Sequence, residues 1–382
     1  MTNFGNSERV ILHSILNSSY SVIQKTKDDP IKKSLMSGEL GTGYFLSIVK
    51  YNGLLNDTGG LKIISDILNN GVAPYSNSIC NGNAGVYWVL SKGNGKLFEF
   101  DNDFLDFLQH ECFKGLKHEI RKKHFDYLHG AFGVLHALIS ARNIKEKELC
   151  EIVDLVLEAS KEHLVFPTSY SPNEKEGINL HLSHGISAYI IILVELFNLS
   201  KNEEIAVLID RHCRILKDNF NKDSFACFPF VDGGISYKVR NSWCYGDIGI
   251  GIALFKAYQA LNNNDYYKIA RYTWEKSCER RSKKKIIIYD SPLCHGIFGN
   301  LLMYNKIDNY LGGCDIVQDT ISWYLEKIKW YYDRYEDDFL KCNEIAGFKN
   351  DRSYLTGVSG IGLTCLELLK YDSFETSKLL LL

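Results

Sequence analysis

A glycine pair of the form G-x-x-G, each followed by an apolar run, recurs six times in this chain, at Gly38/Gly41, Gly82/Gly85, Gly130/Gly133, Gly246/Gly249, Gly296/Gly299 and Gly357/Gly360. A seventh copy keeps Gly185 and carries Ala188 where the second glycine would stand. A device repeated at intervals of this size marks an array of units that bury their apolar faces against one another. The segments that follow, such as GVLHALI, GIGIALF and GIGLTCLELL, are apolar around most of a helical circumference, as helices buried on all sides must be. Between them lie stretches with one apolar stripe and one polar face, at 7–25, 60–70, 101–124, 145–163, 203–220, 265–281 and 315–335. Strand signals are weak, KIIIYD around 286–288 being the strongest. The expectation is an all-α chain, a single α/α toroid domain over 1–382 built from seven helical hairpins with seven inner and seven outer helices. Parallel inner helices would gather their glycine-bearing amino termini at one end, around one opening.

The residues just before each first glycine should face that opening. They read Met36/Ser37, Cys80/Asn81, Leu128/His129, Ser183/His184, Cys244/Tyr245, Cys294/His295 and Leu355/Thr356, so cysteine and histidine are concentrated there. Repeats five and six are neighbours, which lets Cys244, Cys294 and His295 meet. Two thiolates and one imidazole suit zinc, and three protein ligands leave a fourth position for substrate. Cys80, three repeats away from Cys244, reads as packing. With 44 basic and 46 acidic side chains the formal charge is −2, which favours neither nucleic acid nor an anionic membrane. Eleven cysteines in a chain this long are too sparse for a disulfide scaffold and suit a reducing cytoplasm. The longest apolar stretch, ISAYIIILVELF, is about half a membrane span, and no transmembrane segment is expected.

The segments SWCYGDIG, PLCHGIFGN and SYLTGVSGIGL resemble the signatures of the lanthionine synthetase C-like family, and the resemblance runs from about Gly38 through all seven repeats. It implies an α/α toroid with one zinc ion on Cys244, Cys294 and His295. It further implies that peptide cysteine thiols add to dehydroalanine or dehydrobutyrine to give thioether rings. The active-site histidine falls on His184, the aspartate on Asp126 and an arginine on Arg240, while Trp243 and Tyr245 flank Cys244 as substrate-contacting residues. The span between Tyr87 and Phe125 looks short for the small inserted domain of some relatives. Partners implied are a precursor peptide with a leader and a dehydrated core, a separate dehydratase and a transporter. The implied location is cytoplasmic, peripheral to a membrane-associated assembly.

Residue chemistry gives each position a task. A thiol of pKa ~8.5 is mostly protonated at neutral pH, and zinc would deprotonate it. Addition then leaves an enolate. His184 is the candidate proton donor, Asp126 its orienting carboxylate, and Arg240 the stabiliser of the enolate oxygen. His129, at the position equivalent to His184, is a candidate substrate contact. The basic run RRSKKK at 280–285 is a candidate for an acidic leader, though a short charge run is more often a solvated loop. Three other readings share parts of this pattern: a family relative that adds glutathione to dehydroamino acids, a zinc-dependent prenyltransferase barrel, and a non-catalytic scaffold that binds peptide or glutathione.

Overall fold

The computed structural model describes residues 4–27, 33–56, 58–69, 76–140, 144–168, 177–281, 290–344 and 347–382. Among them are fourteen α-helices that alternate in kind. The outer helices are α1 (Asn6–Lys25), α3 (Gly59–Asn69), α5 (Asn102–Arg121), α7 (Glu146–Glu162), α9 (Glu203–Asp218), α11 (Asn264–Cys278) and α13 (Asp315–Tyr335). The inner helices are α2 (Glu39–Tyr51), α4 (Asn83–Gly93), α6 (Ala131–Ile139), α8 (Ile186–Ser200), α10 (Asp247–Leu261), α12 (Ile297–Leu311) and α14 (Val358–Leu368). Helix α9 shows the outer pattern: Asn202 caps it by accepting from the Glu204 amide, and Ile205, Leu208, Ile209, His212, Cys213 and Leu216 form the buried stripe. In α8, by contrast, every residue from Ile186 to Val194 is buried.

The two ends of each hairpin differ. Helices α8, α10 and α12 close on left-handed residues, Lys201, Asn262 and Gly312, and turn at once into the next outer helix. The long connections lie at the other end and carry the glycine pairs. Each first glycine is the amino-terminal cap of an inner helix, as at Gly130, Gly246 and Gly357. A side chain there would meet backbone, and a Cβ on the second glycine of repeat seven, Gly360, would overlap the Tyr354 carbonyl of its own loop. Helix α1 packs on α14 and α14 on α2, so the last repeat meets the first and the α/α toroid closes.

The connections also close a ring of their own. The residue two before each first glycine donates its amide to the equivalent carbonyl of the next repeat: Met36 to Cys80, Cys80 to Leu128, Ser183 to Cys244, Cys244 to Cys294, Cys294 to Leu355, and Leu355 back to Met36, at 2.8–3.4 Å. At the remaining step, between repeats three and four, the side chains of Asp126 and His184 are joined. His129, His184, Tyr245 and His295, each one before its first glycine, line a cavity at the mouth of this ring. Residues three before the glycine stand below, where Tyr127, Trp243 and Tyr354 each donate, at 2.8 Å, to carbonyls of Leu379, Leu380 and Thr376. The segment 376–382, opened by a 3-10 turn at Thr376–Leu380, thus fills the bore beneath the mouth.

Three sequence expectations need correction or placement. The segment at 286–288 lies outside the described residues, and the strands that do appear, Cys342–Glu344 and Gly347–Lys349, form a small antiparallel hairpin before the last glycine pair. Arg280 is not part of a solvated basic surface: it is buried and paired with Asp247 at 3.2 Å, while 282–285 lies outside the described residues. Between Tyr87 and Phe125 the chain forms the end of α4, a short loop and α5, with no inserted domain among the described residues.

Candidate metal centre and catalytic cavity

The backbone ring sets the first feature of the site. Because Cys244 and Cys294 occupy successive steps of it, joined amide to carbonyl at 3.1 Å, their side chains lie together, and His295 follows on the mouth side. One ligand atom from each of the three lies within 4.8 Å of the others. His295 Nε2 is 3.0 Å from Asp290 Oδ2, so Nδ1 is the nitrogen left for a metal. Burial alone would lower the His295 imidazole, but the hydrogen bond and charge of Asp290 outweigh it and raise it. At Cys244 burial opposes ionisation, yet the hydrogen bond from Cys294 and the Arg240 guanidinium outweigh it and hold the thiol below its ordinary value. Cys294 is pushed up, first by that same bond to Cys244 and then by burial. Two adjacent sulfurs beside an oriented imidazole are the donor set of a zinc site, so the residues present fit the metal that the sequence implies.

This trio forms one wall of a cavity of about 390 Å³ whose lining also includes Asp126, His129, His184, Arg240 and Tyr245. Asp126 is buried, accepts from the His129 amide at 2.8 Å through Oδ1, and holds His184 Nδ1 at 2.7 Å through Oδ2. The His184 ring therefore has a fixed orientation, with Nε2 as the atom able to exchange a proton with a substrate. Arg240 reaches Cys244 Sγ at 3.7 Å, and Ser242 Oγ lies 3.4 Å from the same sulfur. His129 stacks on His184 with centroids 5.8 Å apart. Its imidazole is lowered by burial, which outweighs the nearby Asp126 charge. Tyr245 packs against Phe230 and His181 at 4.6 and 5.6 Å and lines the cavity.

Eight of the nine site residues expected from the sequence thus surround one space. The exception is Trp243, expected to touch substrate. It is 1% exposed, lies below the ring and donates to the Leu380 carbonyl, so its place is with the segment that fills the bore. Cys80 is buried, and burial pushes its thiol up to about 12, in line with packing. The sequence reading missed Asp290 and His124, the latter also lining the cavity. Both stand six residues before their first glycine, the position that Arg240 holds in repeat five. Alignment of the repeats at that position carries the signal.

A family model described as lanthionine synthetase C-like protein matches residues 29–381. The nisin biosynthesis protein NisC of Lactococcus lactis subsp. lactis is 22% identical over 256 residues, 58% of this chain. That alignment spans about 60% of the relative's length. A solved structure described as nisin cyclase superposes with a TM-score of 0.72 at 17% identity, covering 96% of each chain, and shares the fold. No helix among the described residues is long and apolar enough to cross a membrane.

Proposed function

The chain belongs to the lanthionine synthetase C-like family, and from that premise we propose that it is a zinc-dependent lanthipeptide cyclase acting as one domain over residues 1–382. Its reaction joins peptide cysteine thiols to dehydroalanine or dehydrobutyrine. The observation that carries the reading is the convergence of a Cys244–Cys294–His295 donor set, an Asp126–His184 pair and Arg240 on one cavity. Zinc bound there would supply a thiol kept deprotonated and nucleophilic at neutral pH. The chain's own residues do the rest. Arg240 faces the cavity with a charge suited to the oxygen of the enolate formed when sulfur attacks Cβ. His184, steadied by Asp126, delivers a proton from Nε2 to Cα. Tyr245 and His129 bound the space in which the dehydrated residue must lie. The substrate is a precursor peptide whose core has already been dehydrated by a separate enzyme.

The test uses purified protein and a dehydrated peptide. Ring formation consumes free thiols without a change of mass, so an alkylating reagent reports the thiols that remain. Cys244→Ala and Cys294→Ala should each lose most of the bound zinc, whereas His184→Asn should keep zinc and lose ring formation. Full zinc retention in both cysteine variants would remove the metal site, and rapid cyclisation by His184→Asn would remove the proton donor. Glutathione supplied with the same peptide tests the sister reaction, through a mass increase that cyclisation lacks.

A further inference from the structure

Two histidines in the cavity are held in the same way, and only one has a task. His184 is fixed through Nδ1 by buried Asp126. His124 is fixed through Nδ1 by Glu119 Oε2 at 2.8 Å, and Glu119 is itself buried and bound by Asn77 Nδ2 at 3.0 Å. An Asn–Glu–His chain of this kind fixes the orientation of a ring that lines the cavity and leaves Nε2 as its second nitrogen. His124 also occupies, in repeat three, the position held in repeat five by Arg240, which lines the cavity, and in repeat six by Asp290, which holds His295. Exposure differs between the two histidines: the side chain of His124 is 35% exposed and that of His184 is 14%. His129 lines the same cavity and stacks on His184. His124 and His184 each have a carboxylate to support a positive charge, and the His129 ring has none within hydrogen-bonding distance among the described residues.

We propose that His124, oriented by Glu119, is the port through which solvent returns protons to His184, by way of His129 and cavity water. The inference rests on the cyclase reading above. In that reaction the thiol S–H breaks and its proton leaves to solvent. The S–Cβ bond forms as the C=C pair moves to Cα, and Cα takes its proton from His184. His184 must then be reloaded, and the two proton movements cancel, so no net proton is consumed.

The experiment follows steady-state ring formation in the zinc-loaded protein at fixed pH while the concentration of an imidazole buffer is varied. For the wild type the rate should be independent of buffer. For His124→Gln it should fall at least ~10-fold in dilute, non-imidazole buffer and rise toward the wild-type rate as imidazole is added, with zinc content unchanged. Glu119→Gln should give the same buffer dependence with a smaller loss. A His124→Gln rate equal to that of the wild type at every buffer concentration, or a deficit that no imidazole relieves while Glu119→Gln behaves as wild type, would overturn the port. If the wild type formed no rings at all, the cyclase reading would fall and the port with it.

Discussion

Arg280 offers a quantitative test of how the loop bearing Arg240 is held. Its guanidinium is 4% exposed and donates to Asp247 Oδ2 at 3.2 Å and to the Val239 carbonyl, with its face 4.5 Å from the Phe225 ring centre. Asp247, in the first turn of α10, is fully buried and otherwise receives the Cys227 amide at 2.8 Å. Arg280→Met keeps much of the volume and removes the charge, leaving a carboxylate with no cation in a dry place. Breaking a buried pair in this way costs ~3–5 kcal/mol. With an unfolding entropy of ~2.1 cal/mol/K per residue, the 382 residues give ~0.8 kcal/mol/K, so the melting temperature should fall by ~4–6 °C. Burial already raises the Asp247 carboxyl, with Arg280 pulling the other way. Without Arg280 it rises further. A raised folded pKa means stability that is present below the unfolded value and lost as pH increases. The deficit should therefore be larger at pH 8 than at pH 5. Adding Asp247→Asn should recover at least half of it, because the amide oxygen still accepts from Cys227 and carries no charge. Calorimetry on the four proteins of the cycle measures all of this. A single-variant deficit below ~1 kcal/mol, or one of several kcal/mol that Asp247→Asn does not relieve, would refute the reasoning.

Three further outcomes are expected. Asp290→Asn should weaken zinc affinity by ~10–100-fold, measured by competition with a chelator, while helical circular dichroism is unchanged. Burial raises the Glu375 carboxyl, but hydrogen bonds from Lys378 and Lys92 outweigh it and bring it down to about 2. That contribution is present above the ordinary Glu value and is lost as pH falls toward 2, so Lys92→Met should release the 376–382 segment at a higher pH, read by Trp243 fluorescence. Gly360→Ala should cost ~1–3 kcal/mol because its Cβ would overlap the Tyr354 carbonyl, whereas Ala188→Gly should cost under ~1 kcal/mol by thermal melting.

The architecture was legible because its signal is periodic: a buried inner helix and a striped outer helix repeat seven times, and the first glycines, which cap the inner helices, fix the register. The metal trio followed from that register, since adjacent repeats bring Cys244 beside Cys294. What lay outside it was hidden. Asp290 and His124 stand six residues before the glycine, a position that shows only when the repeats are aligned beyond the two residues next to each glycine. Trp243 adjoins Cys244 in the chain, but one residue's difference in the loop turns its side chain to the opposite side of the backbone ring. Arg280 opens a run of cations, and composition cannot show that one of them is folded inward on Asp247. The hairpin at Cys342–Glu344 and Gly347–Lys349 is too short for alternation to reveal it.

The ring of backbone bonds uses no side chain at the positions it joins, so the fold places few demands on which residues stand there. The toroid is in that sense a seven-slot rack, in which the slots of repeats three to six line the cavity. Repeats three to six are furnished with imidazoles, thiols and a guanidinium, while repeats one, two and seven offer Ser37, Asn81 and Thr356 one before the glycine. Single replacements in the sparsely furnished slots should therefore leave the cavity-lining half as it was. A designer could use that separation, changing Ser37 or Thr356 without touching the cavity or rebuilding a helix.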